Sequence, residues 1–336
     1  MTRKERVKKS LRHLQSDIVP YNISFTIPAR EKMARYYNNP DFEDEIGNHI
    51  FKIERKVIPE ETGHIKEGFY KDEFGVVWDR RVDKDVGIVY QYPVEKHNVE
   101  TYPFPDAESD RYYSHINELC SKNHECFISG KIAFSFFERA WSLVGMDKLL
   151  ISFVDDPGFA ETLLDRLTDW LIKVVRKFTA YGEIDAIHFG DDWGQQHGLI
   201  MGPVHWRKYI KPRLAKIYAE VKKNNKFVSI HSCGDISEIL PDLIEIGLDI
   251  FNPFQPEVMD VHQMKKTYGD KLTFFGGISL QKTLSFGTPE DVRAEVLDRL
   301  EKIGKNGGYI ASPSHAITKD VSEANIDMLI RTLQAQ

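Results

Sequence analysis

The chain has 336 residues, of which 41% are hydrophobic and 29% charged, and its formal net charge is -6. This is the balance of a globular protein that can bury a large core, either as one α/β barrel or as two smaller domains. The negative net charge argues against a nucleic acid partner, and the lack of ~18 consecutive apolar residues argues against a membrane span. Three irregularly spaced cysteines argue against a disulfide framework. We therefore expect a cytoplasmic protein.

Residues 1–120 are predicted to form an N-terminal segment that carries the first barrel strands. Apolar runs near 21–27 and within 70–92 are the candidates for those strands. Residues 64–105 predict a β-hairpin-like excursion followed by an irregular loop with two prolines. This excursion is either a cap over one end of the barrel or a surface insertion without a role.

From about residue 121 onward, short apolar runs alternate with long amphipathic stretches. The predicted strands are 126–133, 185–189, 226–230, 249–252, 272–276 and 308–311, and the predicted helices are 157–181, 206–224, 236–246, 261–268, 289–305 and 322–333. Strands that alternate with helices indicate βαβ units and a parallel sheet. Together with the two earlier strands they predict an α/β fold, a (β/α)8 TIM barrel with an N-terminal capping segment, whose main part is 121–336 and carries the site. The chain has no glycine-rich phosphate loop, which also favours the barrel over an open sheet.

Polar residues follow five consecutive predicted strands, at the place where barrel enzymes carry their catalytic groups. These stretches are Gly-Asp-Asp-Trp-Gly at 190–194, His-Ser-Cys-Gly at 231–234, Asn-Pro-Phe-Gln-Pro-Glu at 252–257, Gly-Gly-Ile-Ser at 276–279 and Ser-Pro-Ser-His at 312–315. Since the carboxyl ends of parallel strands meet at one edge, we expect these side chains to lie close together. The pattern predicts an enzyme.

His231 and Cys233 are the most specific pair of candidate metal ligands in the sequence. Residues two apart at the end of a strand point to the same side, so an imidazole and a thiolate reach one metal ion. A third ligand has to come from another strand end, and His315 is the candidate. Three protein ligands with an open fourth position describe a catalytic zinc site. The competing interpretation is a small buried cysteine beside a hydrogen-bonded histidine.

Carboxylates at the strand ends supply the other catalytic candidates. Asp191 and Asp192 either position a substrate cation, act as acid or base, support a metal ligand, or cap a helix. Because neighbouring residues point differently, we predict that one is catalytic and one structural, with Asp191 facing the substrate. Glu257 is a further catalytic candidate, and Gln255 a substrate-binding one, although both residue types also serve as loop hydrogen bonders.

These motifs, together with the 206–224 helix, resemble the uroporphyrinogen decarboxylase superfamily over roughly 125–335 and only loosely before that. The resemblance implies a (β/α)8 fold. The superfamily's decarboxylases carry an arginine-rich N-terminal signature, whereas the corresponding stretch here, 25–31, has one arginine. Its cobamide-dependent methyltransferases carry an H-x-C pair and a distant third ligand that bind zinc, which His231 and Cys233 match. Their coenzyme M branch has a cysteine where this chain has His315, and histidine is an equally good zinc ligand.

The resemblance therefore implies a zinc- and corrinoid-dependent methyltransferase. The chain has no D-x-H-x-x-G corrinoid-binding pattern, so the cofactor is expected on a partner protein or free in solution. One thiolate and two imidazoles leave zinc more positive than two thiolates do, which favours demethylation of a small methoxylated molecule, with methoxylated aromatic compounds among the candidates, over methylation of a thiol. Asn252, Gln255 and Trp78 are predicted to contact that substrate. The alternatives are a metal-free decarboxylase and a non-catalytic scaffold for a corrinoid protein.

Overall fold

A computed structural model of the protein describes residues 1–83 and 85–336. The strands are β1 (Ile50–Glu54), β2 (Gly63–Lys66), β3 (Phe69–Lys71), β4 (Val77–Asp79), β5 (Ile88–Gln91), β6 (Phe127–Ile132), β7 (Ala186–Gly190), β8 (Gly194–Gln195), β9 (Gly198–Leu199), β10 (Phe227–His231), β11 (Ile250–Phe254), β12 (Thr273–Ile278) and β13 (Tyr309–Pro313). The helices are α1 (Arg3–Leu11), α2 (Ile27–Tyr37), α3 (Phe42–Ile46), α4 (Ile116–Lys122), α5 (Phe137–Val144), α6 (Met146–Asp155), α7 (Pro157–Thr179), α8 (Gly202–His205), α9 (Lys211–Lys223), α10 (Leu240–Glu245), α11 (Val261–Tyr268), α12 (Pro289–Asp298) and α13 (Glu323–Gln334).

The main sheet is a parallel barrel. Its strands run in the order β1-β6-β7-β10-β11-β12-β13, and helices connect them. The two edges meet through the chain around Tyr21, which bridges to Ala311 in β13 and accepts a 3.0 Å hydrogen bond from the backbone N of His49, just before β1. This segment takes the place of an eighth strand. The predicted (β/α)8 fold is therefore confirmed.

All six strands predicted after residue 121 are present, with ends that shift by one or two residues. The expectation of a barrel strand within 70–92 is wrong, because those residues pair antiparallel in a separate sheet. The barrel strand is β1 instead. Its sequence, Ile-Phe-Lys-Ile-Glu, mixes charged with apolar residues and lacks the continuous apolar run of a strand buried on both faces.

The first helix closes the N-terminal end of the barrel. Val7 and Leu11 of α1 pack in one cluster with the first residues of the strands. Lys4 and Lys8 on the same helix pair with the buried carboxylate of Asp185 at 3.0 and 2.8 Å. Because this end is filled, the barrel opens at the C-terminal ends of its strands, which is where the polar loops lie.

A four-stranded antiparallel sheet, β2-β3-β4-β5, stands over the open end, and we call it the capping sheet. Trp78 in β4 packs edge-on against Phe134, just past β6, with ring centroids 5.2 Å apart. Val86, before β5, reaches the cavity inside the barrel mouth. The excursion is thus a cap rather than a detached insertion. In the part of the chain described here, no helix is long and apolar enough to cross a membrane.

Candidate metal centre and active site

The three predicted metal ligands lie together at the mouth of the barrel. His231 ends β10, Cys233 follows two residues later, and His315 stands two residues past β13. Their ligand atoms all lie within 4.8 Å of one another. Nε2 of His231 is 3.3 Å from Sγ of Cys233, and the two histidine rings are 5.6 Å apart between centroids. The structure therefore brings this ligand group together.

Asn252 fixes the orientation of His231. Nδ1 of the imidazole lies 2.6 Å from the side-chain oxygen of Asn252, whose amide nitrogen donates to the carbonyl of Phe275 at 2.9 Å. The second bond sets the amide orientation, so Nδ1 carries the proton and Nε2 presents its lone pair to the ligand group. Burial lowers the pKa of His231 to about 4, which keeps the ring neutral. Asn252 lines the cavity as predicted for a substrate contact, but its amide is engaged in holding a ligand.

The donor set fits zinc. Burial raises the pKa of the Cys233 thiol, as do the carboxylates of Asp192 and Glu138, so a thiolate here needs a bound cation. Tetrahedral zinc, with bonds of ~2.3 Å to sulfur and ~2.0 Å to nitrogen, holds those two donors roughly 3.5 Å apart, close to the 3.3 Å between Cys233 and His231. Within the described residues, no further histidine, cysteine or carboxylate joins the group, which is the ligand count of an open catalytic site.

The ligand group lies between two cavities. The larger one, about 540 Å³, occupies the barrel mouth and touches His231 and His315. The smaller one, about 270 Å³, touches Cys233 and His315 and is otherwise lined by loop residues, Gln255 among them. Only a small molecule fits in either space. The larger cavity is therefore the candidate substrate site, and we call it the substrate cavity.

Asp191 does not face the substrate cavity. Its side chain is completely buried and accepts hydrogen bonds from the backbone N of Phe136, Phe137 and Glu138 at 3.2, 3.0 and 2.8 Å, and from the indole N of Trp193 at 2.5 Å. It caps the first turn of α5 from a neighbouring strand end. The geometry therefore reverses the predicted division between the two aspartates, because the turn after β7 aims the first one into the protein.

Asp192 lines the substrate cavity, and Glu138 lies beside it. One Asp192 oxygen accepts the backbone N–H of Cys233 at 2.8 Å, so this carboxylate also supports a metal ligand. Burial and the two aspartates raise the pKa of Glu138 to about 9, so the pair holds a proton at neutral pH. Glu138 is not among the site residues predicted from the sequence. Its position after the end of β6 was the signal for a sixth polar strand end.

Glu257 and Gln255 both hold loops. Glu257 accepts hydrogen bonds from the Ser279 hydroxyl at 2.6 Å and the Gln281 backbone N at 3.0 Å, and it lies outside the ligand group. Gln255 accepts from the backbone N of Gly234, next to Cys233, at 3.1 Å and lines the smaller cavity. Neither side chain lines the substrate cavity. We therefore assign both to positioning the strand-end loops.

Trp78 lies in the wall between the capping sheet and the barrel. Its indole N donates to Asp72 at 3.1 Å, and Asp72 also pairs with Arg139 at 2.7 Å. The ring lines a separate cavity of about 390 Å³ under the capping sheet. The aromatic residues that do line the substrate cavity are Phe134, Trp141 and Phe275. The predicted contact of Trp78 with substrate is thus replaced by an indirect one through Phe134.

Comparison with known proteins places these features in a family. Residues 81–336 match the uroporphyrinogen decarboxylase (URO-D) family. The uroporphyrinogen decarboxylase of Chlorobaculum tepidum is 23% identical over 185 residues, which are 54% of this chain and 50% of that protein. The methylcobamide:CoM methyltransferase MtaA of Methanosarcina barkeri is 28% identical over 132 residues, 39% of this chain and 36% of that protein. The chain spans about half the length of the curated relatives that it matches.

The whole chain also superimposes on a solved structure. A methyltransferase from Methanosarcina mazei aligns over 100% of this chain and 99% of its own, with a TM-score of 0.75 and 19% identity. At this identity the likeness establishes a shared fold. It includes the N-terminal part of the chain, which the sequence motifs cover only loosely.

Proposed function

The chain belongs to the uroporphyrinogen decarboxylase family, and from this premise we propose that it is a zinc-assisted, corrinoid-dependent methyltransferase. In this proposal it transfers a methyl group between a small methoxylated aromatic substrate and a corrinoid carried by a partner protein, which is O-demethylation. The observation that carries the proposal is the His231, Cys233 and His315 ligand group at the wall of the substrate cavity. The similarity to a methylcobamide-using methyltransferase supports it.

His231, Cys233 and His315 would hold the zinc ion, and one thiolate with two imidazoles would leave it a net positive charge, so that it would supply a Lewis acid for the ether oxygen. The surrounding side chains orient the ligand group, supply the proton and contact the substrate. Asn252 keeps Nε2 of His231 aimed at the site. Glu138, protonated at neutral pH, donates a proton to the departing oxygen, and the nearby charge of Asp192 helps to keep Glu138 protonated by raising its pKa. Trp141 and Phe134 offer apolar surface to the ring.

The substrate cavity fits the two alternatives less well. A decarboxylase of a polycarboxylate needs clustered arginines, but among the described residues that line this cavity the cations are Lys52 and Lys131, with no arginine. A scaffold that only binds a corrinoid protein has no use for a ligand group or for a buried pair of carboxyl groups. Methyl transfer uses both.

The first arm of the test is metal analysis. The purified protein should contain about one zinc per chain, and Cys233→Ser should lose most of it without unfolding, because the barrel core does not depend on the site. Cys126→Ser is the matched control, since that thiol is buried against the carbonyl of Asn48 at 3.7 Å. Full zinc occupancy in the His231→Ala, Cys233→Ser double variant contradicts the metal assignment.

The second arm is methyl transfer itself. Mixing the enzyme with reduced cobalamin and methoxyarenes should produce the visible absorbance change of cobalamin methylation, and Cys233→Ser should abolish it. If no methyl ether, methanol, methylamine or methyl thioether is a donor with any corrinoid carrier, the proposed function is wrong.

A further inference from the structure

Lys52 places its amino group inside the substrate cavity. It lies in the middle of β1, and its ammonium is 3.3 Å from Nε2 of His188 and 5.3 Å from the centre of the Phe275 ring. Burial lowers its pKa to about 7, and the neighbouring Lys131 lowers it further in the same direction. A lysine in such a place is costly for the fold unless an anion joins it.

The residues that the structure describes do not provide that anion. Within the described residues no carboxylate pairs with Lys52, because the nearby Glu54 pairs with Lys131 at 2.5 Å. His188 is neutral, since burial lowers its pKa well below the usual value, and its Nδ1 bonds to the Ser229 hydroxyl at 2.8 Å. The histidine therefore accepts one ammonium hydrogen of Lys52 and offers no charge. Among residues 1–83 and 85–336, the remaining ammonium hydrogens have no partner of opposite charge.

His188 also lies near the ligand group. The rings of His188 and His231 lie 6.4 Å apart between centroids. In the strand order of the barrel, β6 and β7 separate Lys52 on β1 from His231 on β10, and both residues line one cavity, whose other lining residues include Phe134, Trp141 and Phe275. Asp192 accepts the backbone N–H of Cys233 and Glu138 lies beside Asp192, so these two acidic groups of the cavity lie at the ligand group rather than at Lys52.

We propose that the substrate is an aromatic carboxylate with a methyl ether across the ring, and that Lys52 binds its carboxylate. This inference rests on the proposed function for the methyl ether, but the carboxylate site stands on Lys52 alone. The ring lies along the aromatic wall, the carboxylate meets the ammonium, and the ether oxygen reaches the ligand group and Glu138. Lys52 then selects methoxybenzoates over neutral methoxyarenes, because only they neutralise its charge.

The test compares Lys52→Met with Lys131→Met in the zinc-loaded enzyme. Both lysines line the cavity, but Lys131 already has its partner in Glu54. Calorimetric titration with 4-methoxybenzoate, with benzoate and with neutral methoxybenzene measures binding apart from turnover. Lys52→Met should weaken binding of both carboxylates about 10- to 100-fold and leave methoxybenzene unchanged. Lys131→Met should stay within about five-fold of wild type for all three.

The outcomes separate the two proposals. If wild type binds methoxybenzene as tightly as 4-methoxybenzoate, or if Lys52→Met binds benzoate normally while its melting temperature matches wild type, the carboxylate site is wrong even when methyl transfer is observed. If binding of benzoate depends on Lys52 but no methyl ether is demethylated, the result supports the carboxylate site and contradicts the methyltransferase function. Lys52→Arg should restore much of the binding, since it keeps the charge.

Discussion

The two adjacent aspartates offer the sharpest test of the site, because the structure gives them opposite roles. Asp191→Asn and Asp192→Asn make the same chemical change at neighbouring positions. Asp191 is buried and bonded on all sides, whereas Asp192 lines the substrate cavity. We expect Asp191→Asn to act mainly on stability and Asp192→Asn mainly on rate.

The size of the stability effect follows from the contacts. Each Asp191 oxygen accepts two N–H groups, from Phe136 and Glu138 on one side and from Phe137 and Trp193 on the other. Asparagine replaces one oxygen with an NH₂ group, so two buried donors lose their acceptor at ~1.5–3 kcal/mol each. Burial raises the pKa of Asp191 to about 6, so removing the charge returns part of this cost. We expect a net loss of about 2–4 kcal/mol, or roughly 3–6 °C in melting temperature for a chain of this length.

Two measurements on zinc-loaded protein check these expectations. Thermal unfolding gives the change in stability, and steady-state turnover, measured well below the melting range, gives the change in rate. Asp192→Asn should reduce turnover by ~100-fold or more and keep its melting temperature within about 2 °C of wild type. Asp191→Asn should keep turnover within ~10-fold while it melts early. An Asp191→Asn enzyme that is as stable as wild type and inactive refutes the assignment, and the catalytic role then returns to Asp191.

Two further predictions concern Glu138 and Asn252. Because the acid form of Glu138 is the active one, wild-type turnover should fall as the pH rises through about 9, and Glu138→Gln should be at least ~100-fold slower with no such decline. The folded-state pKa of Glu138 lies above its ordinary value of 4.5, so wild type loses stability from this group as the pH rises from about 4.5 to about 9. Glu138→Gln should therefore melt at a higher temperature than wild type at pH 8. An unchanged melting temperature contradicts the raised pKa. Asn252→Ala should weaken zinc binding ~10- to 100-fold in a chelator competition. Asn252→Asp keeps the acceptor for His231 and should lose less zinc affinity. Equal zinc affinity in wild type and both variants contradicts the positioning role.

The sequence was most informative where a strand is buried on both faces. The continuous apolar runs after residue 121 predicted six barrel strands, and the polar residues after them predicted the position of the metal ligands. The strand β1 was not predicted, because Lys52 and Glu54 interrupt its apolar pattern. That interruption is itself a consequence of the site, since Lys52 faces the cavity. A charged residue within an otherwise apolar strand was therefore the available signal for this part of the candidate site.

The orientation of adjacent side chains was not predictable in the same way. Which of Asp191 and Asp192 faces the cavity depends on the turn after β7, and that turn is set by long-range contacts such as the bond from the backbone N of Asp191 to the carbonyl of His231 at 2.9 Å. Period-two alternation describes a strand but stops where the strand ends. Candidate residues at strand ends can thus be listed from sequence, while their division into catalytic and structural ones requires the loop geometry.

The structural role of Asp191 still bears on the chemistry. One of the three backbone N–H groups that it accepts belongs to Glu138, so Asp191 fixes the first turn of α5 from which Glu138 reaches the cavity. The same carboxylate is a source of the negative charge that raises the pKa of Glu138. Asp191 therefore acts on the proposed proton donor without touching the substrate. For this reason Asp191→Asn should shift the alkaline decline of turnover to lower pH, a change that simple loss of helix stability does not produce.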